Sequence, residues 1–369
     1  MRGASAGLAA VGVLFAAACG HKVVVGVVLP ESGENKVYGS SLKAGIKLAF
    51  DDAVARQSPE GIEAHYRDSL SHPEYAAKEA QELYKTGAQV VIGGATSAEA
   101  KAMIPEAEKA KALLISPSAS EPGLAATSNL FFRVVPSDEF EATVAAKFLA
   151  GQKKVRTVMV LFEKGLYADG LVPVFTGEFE KAGGRIIGQL PVGPTDWDKA
   201  VADAIPAQKP DAIFVCAYAE EILASLGVIR NAKFPGVVCV TSSFDTGDVV
   251  QRAGAAAEGV FVSKVRIDFD SQQEPIRTFV KRFKAANRGA TPDLFAAYGF
   301  DAATVALDAL QGPPPKDVND LLVRVMSLGD KQGVTGRFVF DKVGNITHYP
   351  RMHVIKSGRF EDCDAAPLS

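Results

Sequence analysis

Apolar runs rich in Val, Ile and Leu alternate along this chain with helical stretches of about 10 to 15 residues, a pattern that leaves few folds open. Two strands joined through a helix lie parallel in a sheet, with the helix packed on its face. A first series reads as strand Val23–Leu29, helix Gly39–Arg56, strand Ile62–Tyr66 and helix Pro73–Lys85, followed by the strand runs Val90-Val91-Ile92 and Leu113-Leu114-Ile115. A second reads as helix Asp138–Gly151, strand Thr157–Phe162, helix Tyr167–Ala182, strand Arg185–Pro191, helix Asp198–Ile205, strand Ala212–Ala217, helix Glu220–Asn231, and strands Val237–Thr241 and Gly259–Val265. Two such series predict two doubly wound α/β sheets. The 369 residues suffice for two domains, and 47% hydrophobic composition suffices for two cores. The last third breaks the alternation. Gln273–Asn287, Asp293–Leu310 and Asp317–Met326 read as helices, and Phe338–Phe340 with Met352–Ile355 as hairpin strands around the Gly-containing stretch Asp341–Asn345. Elements left over after two halves imply that the chain passes between domains more than once. With no Gly/Ser-rich linker, those passages are short hinges.

Two of the strand runs end in small hydroxyl residues: Gly93-Gly94-Ala95-Thr96-Ser97 and Ser116-Pro117-Ser118-Ala119-Ser120. The Ala-rich segment Ser97–Lys111 reads as a helix whose N-cap is Ser97 or Thr96. A helix start after a parallel strand presents free backbone N–H groups at a positive helix end, and hydroxyls beside it suit a carboxylate better than a phosphate. Either turn alone reads more readily as an ordinary capped helix after a strand. Two at neighbouring strand ends fit a ligand site, because open parallel sheets bind ligands at the carboxyl ends of their strands.

The N-terminus shows Met1-Arg2, an apolar run Leu8–Ala18, then Cys19. The run is too short for the roughly 20 residues of a membrane span and has the length of a signal-peptide core, residues 1–18. Ala16-Ala17-Ala18 before Cys19 is similar to a bacterial lipobox, although the usual leucine three before the cysteine is Ala16 here. The expectation is an exported lipoprotein bearing its lipid on Cys19; the alternative is a plain secretory leader cut near Ala18. Of the remaining cysteines, Cys216 and Cys239 fall inside apolar strand runs and read as buried free thiols. A net charge of −3, with no basic cluster interleaved with aromatics, argues against nucleic acid as a partner. His21, His65, His72, His348 and His353 form no His-Glu-x-x-His pattern, and no Gly-x-Ser-x-Gly elbow or phosphate loop occurs. Neither an enzyme, a metal site nor a cofactor is expected.

The motifs in order are Val27 to Tyr38-Gly39, Val91-Ile92-Gly93 with Ser97, Ile115 to Ser120, Phe132-Arg133 before Asp138, Tyr167 with Gly170, Tyr218, and Tyr298-Gly299-Phe300-Asp301-Ala302-Ala303. From Lys22 to about Arg359 the chain resembles the periplasmic leucine/isoleucine/valine-type solute-binding proteins of ABC transporters. The resemblance implies a type I periplasmic binding protein fold: two α/β lobes joined by three crossovers, with the ligand cleft between them. It divides the chain into residues 22–136 plus 267–340 and residues 137–266 plus 341–369, with crossovers near Pro136, near Arg266 and at Asp341–Asn345.

The resemblance also implies roles. Ser97 and Ser120 would hold a ligand carboxylate through hydroxyl and N–H, Ser118 and Ala119 belong to the same turn, and Ser118 would offer its carbonyl to an ammonium. Tyr167 and Tyr218 would face them from the second lobe, and Tyr38 and Phe300 would wall the ligand side chain. Amino-acid-binding members carry an acid after the strand that here is Val237–Thr241; this chain has Ser242-Ser243-Phe244-Asp245 there, and Asp245 reads equally as the amine anchor or as the cap of a short helix. The implied partners are a small amino acid or related carboxylate, an ABC permease, and a membrane through the lipid. The alternative is a same-fold lipoprotein that senses a ligand or regulates a cell-wall synthase.

Overall fold

The computed structural model describes residues 23–55, 61–193, 195–329 and 331–363. The leader and Cys19 lie outside the described residues. The first sheet is built from β1 (Val23–Leu29), β2 (Ile62–Asp68), β3 (Val90–Gly93), β4 (Leu113–Ser116) and β5 (Phe131–Arg133), joined by α1 (Lys36–Ala55), α2 (Pro73–Lys85) and α3 (Ser97–Ala110). Its order is β2-β1-β3-β4-β5, parallel throughout. The chain then enters a second unit: α4 (Asp138–Lys147), β6 (Thr157–Glu163), α5 (Leu166–Lys181), β7 (Arg185–Val192), α6 (Trp197–Gln208), β8 (Ala212–Cys216), α7 (Ala219–Asn231), β9 (Val237–Val240), α8 (Gly247–Ala253) and β10 (Phe261–Lys264). It returns for α9 (Ile276–Ala286), α10 (Leu294–Ala309) and α11 (Val318–Met326), of which α10 packs on α1, β3 and β4. A third passage runs beside β5, where Arg133 N–H donates to the Gly344 carbonyl (3.1 Å), before β11 (Arg351–Lys356) and β12 (Arg359–Asp362) join the second sheet. That sheet has the order β12-β11-β10-β9-β8-β6-β7, with β11 and β12 antiparallel at its edge.

The continuous apolar runs are strands buried on both faces, and each run divides its side chains between two cores by the period of two. Val25, Val27 and Leu29 of β1, Val90 and Ile92 of β3 and Ile115 of β4 enter the core under α1 and α10, whereas Val28, Val91 and Leu114 enter the one under α2 and α3. In the second sheet Met159 and Leu161 part from Val158 and Val160 in the same way. Fully burying one such side chain contributes about 1.5–3 kcal/mol, so these layers dominate stability. Two glycines let α1 and α10 approach: a Cβ on Gly45 would lie 1.9 Å from the Ala296 carbonyl oxygen, and one on Gly299 would lie 2.2 Å from that of Leu42. Cys216 and Cys239 are buried free thiols.

The hairpin differs from the sequence expectation. Phe338–Phe340 forms no strand with Met352–Ile355, and Phe340 makes only an isolated bridge to Ile346. The true partner of β11 is β12, joined through Ser357-Gly358 with φ of 49° and 71°. Two consecutive positive φ values are what a tight two-residue hairpin requires.

Candidate ligand-binding site

In each sheet the strand order reverses once in the parallel part, between β1 and β3 and between β6 and β8. The crevice at such a reversal is where an open sheet receives a ligand. Tyr38 follows β1 and Ser97 follows β3; Tyr167 follows β6 and Tyr218 follows β8. The two crevices face each other across one cavity of about 30 Å³, which Ser97, Ser118, Ser120 and Tyr38 line from the first lobe and Tyr167, Tyr218, Ser242 and Ser243 from the second.

The first turn is built by a capping box. Thr96 Oγ1 accepts from the Glu99 N–H (3.3 Å) while the Glu99 carboxylate accepts from the Thr96 N–H (3.0 Å). Thr96 is therefore the N-cap, which releases Ser97: its hydroxyl accepts from the Glu121 N–H (3.2 Å), and its own N–H points at the Tyr218 phenol. Gly94, at φ 72°, makes the tight bend that brings the helix start to the strand end. The second turn clasps the first. Ser116 Oγ donates to the Gly94 carbonyl (2.8 Å) and Ser118 Oγ to that of Ala95 (2.7 Å).

The lobes touch through tyrosines. Tyr38 Oη donates to the Ser243 carbonyl (3.0 Å) and accepts from the N–H of Ala219 (2.8 Å), the first residue of α7. A hydroxyl from one lobe thus satisfies an orphan donor at a helix start in the other, and Tyr218 approaches α3 reciprocally. The rings of Phe295, Tyr38, Tyr218 and Tyr167 form a column across the cleft with centroid spacings of 4.6, 5.9 and 5.2 Å. Burial pushes the pKa values of Tyr38, Tyr167 and Tyr218 up, so all three phenols are neutral donors. In an adjoining pocket that Tyr167 and Tyr218 also line, burial, with help from Glu221 and Glu34, pushes the Glu163 carboxyl up to about 7 while it accepts from the Tyr218 N–H (2.8 Å).

Three expected site residues lie elsewhere. Asp245 is paired with Lys264 at 2.7 Å, with both side chains about nineteen-twentieths buried. The short turn Ser242–Phe244 carries Asp245 past the cleft to the end of β10, where the lysine meets it. Phe300 packs on Phe279 at 5.0 Å. Helix geometry explains this, since Phe295 and Tyr298, one turn apart on α10, both line the cavity, and Phe300 falls on another face. Ala119 is fully buried, its N–H held by Ser116 Oγ (2.9 Å), and does not reach the cavity. Ser242, Phe295 and Tyr298 are lining residues not assigned from sequence; the aromatic i, i+3 spacing was the available signal for the last two.

Comparison with known proteins agrees with the two-lobe α/β fold. A family model described as periplasmic binding protein matches residues 22–358. A leucine-, isoleucine-, valine-, threonine- and alanine-binding protein of Pseudomonas aeruginosa is 22% identical over 326 residues, 87% of this chain and 86% of the relative. A Leu/Ile/Val-binding protein homologue of Brucella suis is 24% identical, covering 92% and 91%. Among solved structures, the branched-chain amino acid transporter substrate-binding protein of Streptococcus pneumoniae with isoleucine superposes with a TM-score of 0.86 at 24% identity, over 92% of this chain and 98% of that one. A solute-binding protein of R. palustris in complex with benzoate gives 0.83 at 20% identity, over 93% and 96%.

Proposed function

The chain belongs to the periplasmic binding protein family, a family of exported binding proteins rather than enzymes, and from that premise we propose that it captures a small amino acid or related carboxylate for an ABC importer. The observation that carries the reading is the convergence of the Ser97 and Ser118–Ser120 turns on one cavity faced by Tyr167 and Tyr218 of the other lobe. The start of α3 directs a partial positive charge there, and the Ser97 and Ser120 hydroxyls stand beside it, which suits a carboxylate. The names of the similar Pseudomonas and Brucella proteins support an amino acid. Two lobes in contact through Tyr38 support a ligand enclosed between them, reached by hinge opening. Lipidation at Cys19 belongs to the same reading and would keep the receptor beside its permease.

Mass spectrometry of the gently purified protein, followed by calorimetry with the solute found, tests this. Hydrogen bonds to a charged group contribute about 1.5–3 kcal/mol, so Ser97→Ala should weaken binding by roughly tenfold or more. Unchanged affinity in Ser97→Ala would remove the carboxylate assignment.

A further inference from the structure

The pocket that adjoins the ligand cavity brings carboxyl groups of both lobes together. It holds about 210 Å³ and shares Tyr167 and Tyr218 with the cavity. Glu34, Asn35, His72 and Thr96 wall it from the first lobe, and Glu163 and Lys164 from the second. Glu163 ends β6, is half-buried, and holds the Tyr218 N–H. The Glu221 carboxyl, in the first turn of α7, stands close enough to share a proton with it, and both feel the charge of Glu34 across the cleft. Nearby cations are engaged with another acid: Arg252 pairs with Glu220 (2.6 Å), and Lys36 acts on Glu220 as well. Lys164 and His72 line the pocket, yet among the described residues neither forms an ion pair with Glu34, Glu163 or Glu221.

Closure creates this arrangement. Parting the lobes carries Glu34 away and removes the wall that keeps water from Glu163, so its carboxyl returns toward the ordinary range. Closing restores both effects, and repulsion between carboxylates is stronger in a half-buried pocket than in water. The acids also face the contact that joins the lobes, since the Tyr38 phenol that accepts from the Ala219 N–H feels Glu163 and Glu221. Tyr38, Tyr218 and Cys216, which share the field of Glu163, are all pushed up by burial and stay neutral. A carboxyl held higher in the closed form than in the open form takes up a proton on closure. That preference for closure is full below the ordinary 4.5 and is lost as pH rises through about 7.

We propose that Glu163, with Glu221 beside it and Glu34 opposite, is a proton-operated brake on closure. Protonated, it hydrogen-bonds to Glu221 and lets the lobes shut; ionised, it repels the opposing lobe, so solute capture strengthens as the surroundings acidify. The brake rests on the reading that the lobes open about a hinge, and it holds for whichever carboxylate the cavity takes.

The test is small-angle scattering of the solute-free full chain at about pH 5.5 and about pH 8, where the closed-to-open ratio should differ by roughly tenfold or more. The parent should show the larger radius of gyration at the higher pH. Glu163→Gln keeps an acceptor for the Tyr218 N–H but no charge, and should stay compact at both. Calorimetry with L-leucine, whose charge is constant over this range, should show affinity falling roughly tenfold or more toward the higher pH in the parent and unchanged in Glu163→Gln. A parent radius independent of pH overturns the brake, as does a pH response that survives in Glu163→Gln. If L-leucine still compacts such a parent, the hinge reading stands; if it binds without compaction, the hinge reading falls too. Failure of L-leucine to bind at either pH counts against the amino-acid reading alone, and the scattering then decides. Should Glu163→Gln fail to fold, the exposed substitution Glu34→Gln decides: it should shrink the pH response, and a full response there overturns the brake.

Discussion

Tyr38→Phe weakens lobe closure while keeping the aromatic ring that lines the cavity. The substitution removes one oxygen and keeps the ring, so the contacts with Phe295 at 4.6 Å and Tyr218 at 5.9 Å persist. Two hydrogen bonds across the cleft disappear, to the Ser243 carbonyl and from the Ala219 N–H. Each contributes about 0.5–1.5 kcal/mol net, so together they favour the closed form by about 1–3 kcal/mol. When the lobes part, water reaches both backbone groups; when they stay shut, both are stranded in a buried place, which pushes the variant further toward the open form. The closed-to-open ratio should fall by roughly 5- to 150-fold, and apparent affinity for a solute that binds the closed form should fall with the closed fraction. Small-angle scattering of the free variant should show a larger radius of gyration than the parent, and saturating solute should restore compaction. An unchanged free radius together with unchanged affinity would refute the latch.

Other substitutions test separate links. Glu141→Gln should gain stability over the parent as pH rises: the native carboxyl titrates near 7 against 4.5 when unfolded, so its burial is tolerated at pH 5, where it is protonated, and opposes folding at pH 8, by about 3 kcal/mol. Urea unfolding of both proteins at the two pH values measures this, and a difference independent of pH contradicts it. Gly45→Ala should destabilise by about 1–3 kcal/mol or more by forcing α1 from α10, whereas Gly227→Ala in α7, where nothing lies within 4 Å, should stabilise slightly; equal melting shifts would discredit the close-packing argument. Cys19→Ala should release the protein from membranes, and labelled fatty acid that never enters the parent protein would rule out lipidation.

Sequence by itself determined what depends on neighbours along the chain. Unbroken Val and Ile runs separated by helical stretches specify parallel strands covered on both faces, and small hydroxyl residues after β3 and β4 specify helix starts and tight turns. Ser97, Ser120, Tyr167 and Tyr218 were legible because each follows a parallel strand, and such ends collect at one edge of a sheet. Tertiary structure decided what depends on partners distant in sequence. Asp245 was the nearest acid to the expected position, but Lys264 on the adjacent strand claims it, since a buried carboxylate takes the cation within reach. Which aromatics of α10 face the cleft depends on how that helix is rotated against α1, which Gly45 and Gly299 fix by close approach. The contact of Glu141 with Ser242 spans 101 positions and exists only because α4 packs against β10 beside the turn that follows β9. Local pattern encodes burial and capping, whereas the pairing of charges in the cleft is set by packing, where desolvation makes each ion depend on a partner that only the folded chain brings near.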